Sequence, residues 1–161
     1  MTTKIMSNPV ESRWISAGFS PEAQLIWRGR VPLSPSSADQ IWIQEQIKSN
    51  LQSLAKGCAI EGWDGYDAQP ISSETYQLAL RVTSSLPASL PSPSIGAEPD
   101  GHITLEWHRN SHRTLSVSIS PEGYLHFAAI LGAGSNQYGT EIFWDSVPKT
   151  ILELIYNIMC L

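Results

Sequence analysis

With 161 residues, 42% of them hydrophobic, the chain suffices for one self-supporting domain and leaves little room for two. Only 16% of residues are charged, the net charge is -5 and the pI is about 5.3, so the basic footprint of a nucleic-acid binder is missing and nucleic acid is set aside as a partner. Cys58 and Cys160 lack any zinc-type spacing, and neither a signal-type N-terminus nor an apolar run of about 20 residues occurs, which predicts a reducing, cytoplasmic setting away from the membrane.

Residues 1–38 carry Pro9, Pro21, Pro32 and Pro35 together with Trp14, Phe19 and Trp27. The prolines forbid a long helix and the aromatics need cover, so this segment is expected to be an irregular N-terminal docking arm. Residues 39–161 are expected to form a single α+β domain. Its first helix is predicted from about Asp39 to Lys56, with Ile43, Ile47, Leu51 and Leu54 on one face, Ser37 or Asp39 as cap and Gly57 at the end. A loop over 58–70 leads to a second helix, about Ser73 to Leu86, capped by Ser72, with Ile71 stapled onto Tyr76 and Leu78, Ala79, Val82 and Leu86 inward.

Beyond Pro87, Pro91 and Pro93 the apolar period changes from 3.6 to 2. Short strands are predicted at Ser94–Ala97, His102–His108, Thr114–Ser120, Tyr124–Leu131 and Gly139–Trp144, with turns at Pro99-Asp100-Gly101, around Asn110 and at Ser120-Pro121-Glu122-Gly123. Turns this short imply an antiparallel meander. The densest cationic stretch, Trp107–Arg113, falls on one of these turns and not in a groove. A last helix is predicted from near Ser146, capped by Asp145 or Ser146, with Val147, Ile151, Leu154, Ile155 and Ile158 inward. Two helices, four to five strands and a C-terminal helix make a two-layer α+β domain.

Three stretches are candidates for function. Trp63-Asp64-Gly65-Tyr66-Asp67 concentrates aromatics and carboxylates between helices. It suits a recognition loop anchored by Trp63 and Tyr66, a carboxylate cluster of Glu61, Asp64 and Asp67, or an ordered connection in which both aromatics plug the core and Asp64 makes an Asx-turn. The second is the sheet face opposite the apolar one. A hairpin around Asn110 would set Thr104 beside Ser116 and Glu106 beside Thr114, and the next hairpin sets Ser116 beside Ala128 and Ser118 beside His126. His102, Ser118 and His126 then share a row, with the two histidine Cβ atoms roughly 9–10 Å apart and no third ligand evident, so no metal and no cofactor are assigned. A Ser-His pair without an orienting carboxylate or an oxyanion-hole motif is no hydrolase signature. Thr104, Thr114, Ser116, Ser118 and Ala128 describe instead a small-residue face suited to docking. The third, Gly132-Ala133-Gly134-Ser135-Asn136-Gln137, lacks the lysine and the following helix of a phosphate loop and is expected to be a mobile hairpin loop.

The stretch Gly62-Trp63-Asp64-Gly65-Tyr66-Asp67-Ala68-Gln69-Pro70-Ile71 resembles small uncharacterised bacterial proteins that carry a Trp-Asp-Gly-Tyr type motif. The resemblance continues through Ile103–Trp107, Leu115–Tyr124 and Gly139-Thr140-Glu141, and spans roughly residues 58–158. It implies a bacterial origin and a single-module architecture, and it implies no chemistry.

The sequence therefore predicts a non-catalytic protein-interaction or accessory module of a bacterial cytoplasmic system, with an unidentified protein partner and homo-oligomerisation left open. Its expected interaction residues are Trp63, Asp64, Tyr66, Asp67, Thr104, Glu106, Ser116, Ser118 and His126, and no residue is expected to be catalytic. The alternative is a small enzyme or ligand-binding domain using Asp64, Asp67, Glu106 and nearby histidines. A concave pocket with converging ionisable groups would favour the second, an exposed aromatic surface the first.

Overall fold

Ser36 starts the described structure. Its hydroxyl accepts from the Asp39 backbone N–H at 3.2 Å, and its own N–H donates to Asp39 Oδ2 at 3.1 Å. This reciprocal cap satisfies two backbone donors and launches α1, Ser37–Gly57. The helix thus begins two residues before the predicted Asp39, because Asp39 is the third helical residue that completes the cap. The computed structural model describes residues 36–132 and 134–160; the expected docking arm, with Trp14, Phe19 and Trp27, lies outside the described residues except for its last three positions. By packing, the chain divides at Ser34/Pro35, and the described residues belong to the second unit.

α2 spans Ser73–Ser84, with the Ser72 hydroxyl accepting from Thr75 N at 3.1 Å as predicted. Five strands follow, β1 Ser94–Ala97, β2 Ile103–Asn110, β3 Arg113–Ile119, β4 Tyr124–Leu131 and β5 Asn136–Ile142, and then α3, Lys149–Met159. The strands pair in chain order as an antiparallel meander, so the expected α+β architecture is the observed one. One sheet face turns Ile103, Leu105, Trp107, Leu115, Val117, Ile119, Leu125 and Ala129 into the core, all 2% exposed or less. Against them lie Ile47 and Leu51 of α1, Ala79 and Val82 of α2, and Ile151, Leu154, Ile155 and Ile158 of α3. The helices therefore cover one face, and the period-2 alternation leaves the other open among the described residues.

Three predicted details differ. The β2–β3 turn is centred on Ser111-His112, with Asn110 opposite Arg113 and a register shift between His108 and Asn110. Asn110 Oδ1 accepts from His112 N at 2.9 Å and shapes that turn. Thr104 consequently faces Ser118, and Glu106 faces Ser116, two residues from the predicted pairs. A slip of two keeps each side chain on its face, so the period-2 apolar alternation survives the change of pairing. β5 begins at Asn136 because Leu131 N–H donates to Ser135 O at 2.8 Å and closes the hairpin early, so the predicted loop residues Asn136 and Gln137 lie in the ladder. It ends at Ile142 because Phe143 N–H turns to Gly123 O at 2.9 Å. Finally, α3 is entered through Pro148, whose carbonyl receives the amides of Ile151 and Leu152, and neither Asp145 nor Ser146 caps it. A proline holds the preceding residue extended, which keeps Val147 out of the helix.

Candidate functional site

The Trp63–Pro70 loop is ordered from within. Asp64 Oδ1 accepts from Tyr66 N at 2.8 Å and from Ala68 N at 3.4 Å, the anticipated Asx-turn. Gly62 N–H donates to Ala68 O at 2.8 Å and closes the loop base. Trp63 is half-buried against the core and its Nε1–H donates to Gln69 O at 2.9 Å. Trp63 is therefore a strut of the loop, less deeply buried than a core plug. Tyr66, expected to plug the core in the ordered-connection reading, is 85% exposed, and Asp67 is exposed beside it.

The same loop seats the β1–β2 turn. Gln69 N–H donates to Pro99 O at 2.7 Å, and Gly101, at φ 84°, passes so close to Pro70 that a Cβ there would lie 2.9 Å from the Pro70 carbonyl oxygen. On this turn one ligand atom each of Glu98, Asp100 and His102 falls within 4.8 Å of the others. Asp100 Oδ2 lies 3.4 Å from His102 Nδ1, and Asp100 Oδ1 accepts the His102 amide at 3.1 Å. The Thr104 hydroxyl donates to Glu98 Oε1. Glu98 and Asp100 were missed as site residues; their alternate spacing with His102 across a predicted tight turn was the available signal.

On the open face, His102, His108 and His126 each pair through Nδ1 with a hydroxyl on a neighbouring strand, namely Ser118 Oγ at 3.1 Å, Thr114 Oγ1 at 3.0 Å and Thr140 Oγ1 at 2.9 Å. Thr104, not His102, is opposite Ser118, and His102 reaches that serine diagonally. The His102 and His126 rings lie nearly parallel with centroids 6.1 Å apart, His102 reaching toward Ser118 and His126 pairing with Thr140 on its other side. Glu122, on the adjoining turn, is held below the usual carboxylate range by the Ser120 hydroxyl and its own backbone amide, with the two imidazoles adding to the effect. Glu106 lies farther along β2, opposite Ser94 and Ser116. The Asp, Glu and His side chains that converge among the described residues are Glu98, Asp100 and His102, and they include none of Asp64, Asp67 and Glu106.

The apolar part of the open face lies on β4 and β5. Tyr124 and Ile130 point outward from β4 and Tyr138 and Ile142 from β5, with exposures from 41% to 86%, and Trp144 follows at 75%. These residues were absent from the expected interaction set, although period-2 alternation along the predicted Tyr124–Leu131 strand puts Tyr124 and Ile130 on the face opposite Leu125 and Ala129. Arg81 fixes this end of the sheet, donating to Trp144 O at 2.7 Å with its guanidinium 5.3 Å from the Phe143 ring. Open grooves at Leu90–Tyr156 and at Ile142–Trp144 carry one acidic residue each, Glu153 and Glu141, and neither includes Asp64, Asp67 or Glu106. Burial pushes the Cys58 thiol up, away from the thiolate a nucleophile needs, and Cys160 is exposed. No described helix is long and apolar enough to cross a membrane.

Compared with known proteins, the chain matches no family model, no curated protein and no solved structure.

Proposed function

We propose that the protein is a non-catalytic interaction module of a bacterial cytoplasmic system that docks a protein partner on the open face of its sheet. The observation that carries this reading is the exposed group Tyr124, Ile130, Tyr138 and Ile142 on adjacent strands, continued by Trp144. Tyr and Trp combine large apolar area with few rotatable bonds and a polar tip, the properties of interface anchors. The expected small-residue positions Thr104, Ser116, Ser118 and Ala128, with His126, extend this group as a flat polar margin. Glu106 adds one carboxylate to that margin. Tyr66 and Asp67 present a second exposed point on the Trp63 loop, which Asp64 and Trp63 support from within. Bacterial origin is inferred from the Trp-Asp-Gly-Tyr resemblance, and the cytoplasmic setting from the two unpaired cysteines. The enzyme alternative has less support, since Asp64 is committed to two loop amides.

A Tyr138→Lys/Ile142→Lys variant tests the proposal, because both side chains point to solvent and their replacement leaves the core intact. Quantitative co-purification from the native host should recover a partner with the wild type and with an Ile41→Lys/Trp42→Lys control, whose residues are exposed on α1, and should lose it with the β5 variant. Equal recovery with all three proteins would rule out docking through this face.

A further inference from the structure

The β1–β2 turn carries chemistry that a docking face does not require. Glu98, Asp100 and His102 alternate along a five-residue reversal, Glu98-Pro99-Asp100-Gly101-His102, and the reversal turns all three side chains toward one point. From β4 the His126 ring stacks over His102, and Glu122 feels both imidazoles. Two carboxylates thus converge on His102 at one end of the open face, with the Glu122 carboxylate on the adjoining turn, an excess of acceptor atoms and negative charge. Arg81 and Arg113 do not neutralise it: they bind the carbonyls of Trp144 and Asn157.

We propose that Glu98, Asp100 and His102 bind one divalent first-row transition ion of the Zn2+ type. Two carboxylate oxygens with an imidazole nitrogen form a mixed donor set that suits zinc better than Mg2+ or Ca2+, which prefer oxygen ligands alone. Ligands of one zinc ion, each about 2.0–2.2 Å from the metal, lie roughly 3–3.5 Å from one another. The Asp100–His102 pair already has that separation at 3.4 Å, and the full set, within 4.8 Å, closes by side-chain rotation of Glu98 and Asp100. Thr104 donates to Glu98 as an outer-shell group does, Thr140 pairs with the bordering His126, and the ion takes the place of the Ser118 hydroxyl at His102 Nδ1, since both reach the same nitrogen. His126 borders the site, its ring 6.1 Å from that of His102. The Trp63 loop acquires a purpose here, since its Gln69 and Pro70 seat the turn that presents the ligands. This site stands independently of the docking proposal.

The test is titration of the full chain, free of any histidine tag and stripped with chelator, with Zn2+ alone, followed by calorimetry and by the imidazole NMR resonances. Saturable binding of a single equivalent is expected, with the His102 resonances shifting. Affinity should fall about tenfold or more in Asp100→Asn, Glu98→Gln and His102→Ala. It should stay unchanged in a His108→Ala/His112→Ala control, which removes the two histidines outside the cluster. Asp100→Asn keeps the Oδ1 that accepts the His102 amide, so it separates ligand loss from misfolding, and a thermal melt of each variant confirms the fold. Failure of the wild type to bind saturably, equal affinity in Asp100→Asn and Glu98→Gln, or loss of binding in the His108/His112 control would each overturn the proposal.

Discussion

Asp64 and Trp63 show how a conspicuous motif can be consumed by its own loop. The Asp64 carboxylate reaches only amides two and four residues away, and the Trp63 indole reaches a carbonyl six residues away. Both interactions are local, so the Asx-turn was legible in the residue types alone. The depth of Trp63 was not, since burial depends on what the rest of the chain brings to the loop. Trp63→Phe keeps most of the ring and removes one N–H donor, so it is expected to cost about 1 kcal/mol. Trp63→Ala also removes the half-buried ring and is expected to cost about 2–3 kcal/mol, short of the ~3–5 kcal/mol of a fully buried aromatic. Urea denaturation of the two variants measures both, and equal losses would show that the ring contributes nothing beyond its hydrogen bond. Glu98, Asp100 and His102 are the converse case. Their spacing was visible, but only the seating of the turn on Pro70 shows that the three side chains converge.

At the scale of elements, apolar periodicity identified each helix and strand among the described residues, and the errors fell where a single polar contact decides. Ser36, not Ser37 or Asp39, caps α1; Pro148, with no side-chain cap, opens α3; an Asn110 side chain recentres the β2–β3 turn. Such contacts are worth about 1 kcal/mol each, too little to leave a mark on a hydrophobic pattern. β5 was placed late because its residues alternate weakly: Gly139 faces inward beneath the Phe127 ring, and the inward Glu141 discourages pairing along this exposed edge. The β1–β2 reversal offers the sharpest test of an element. Gly101 combines φ 84° with a backbone oxygen 2.9 Å from where a Cβ would sit, so Gly101→Ala is expected to destabilise by about 2 kcal/mol or more. Gly57→Ala, at a helical site with nothing within 4 Å, is expected to be neutral or stabilising by up to about 1 kcal/mol. Matching denaturation midpoints for the two variants would mean that the turn is not seated on Pro70.

Among the described residues, one layer of three helices lies on one face of a five-stranded meander, and the core draws on α1, α2, β1 to β4 and α3. The open face is built from the alternate residues of the same strands, so the pattern that buries Leu125 and Ala129 also presents Tyr124 and Ile130. Trp14, Phe19 and Trp27 supply apolar area on a proline-punctuated segment, which we read as a docking arm separate from the core. Because the division at Ser34/Pro35 leaves the Ser36 cap and all eight described elements in one unit, a chain starting at Pro35 is expected to melt in a single cooperative transition. If the surface the arm docks on is this domain's own sheet face, and not that of a second copy or a different protein, the shortened chain is also expected to bind a hydrophobic dye more strongly than the full chain and to self-associate at lower concentration. Calorimetry, dye fluorescence and sedimentation of the two proteins read these outcomes separately. Unchanged dye binding and association with a preserved melt would remove this domain's own sheet face as the arm's docking surface, and loss of the cooperative melt would place part of the core within residues 1–35.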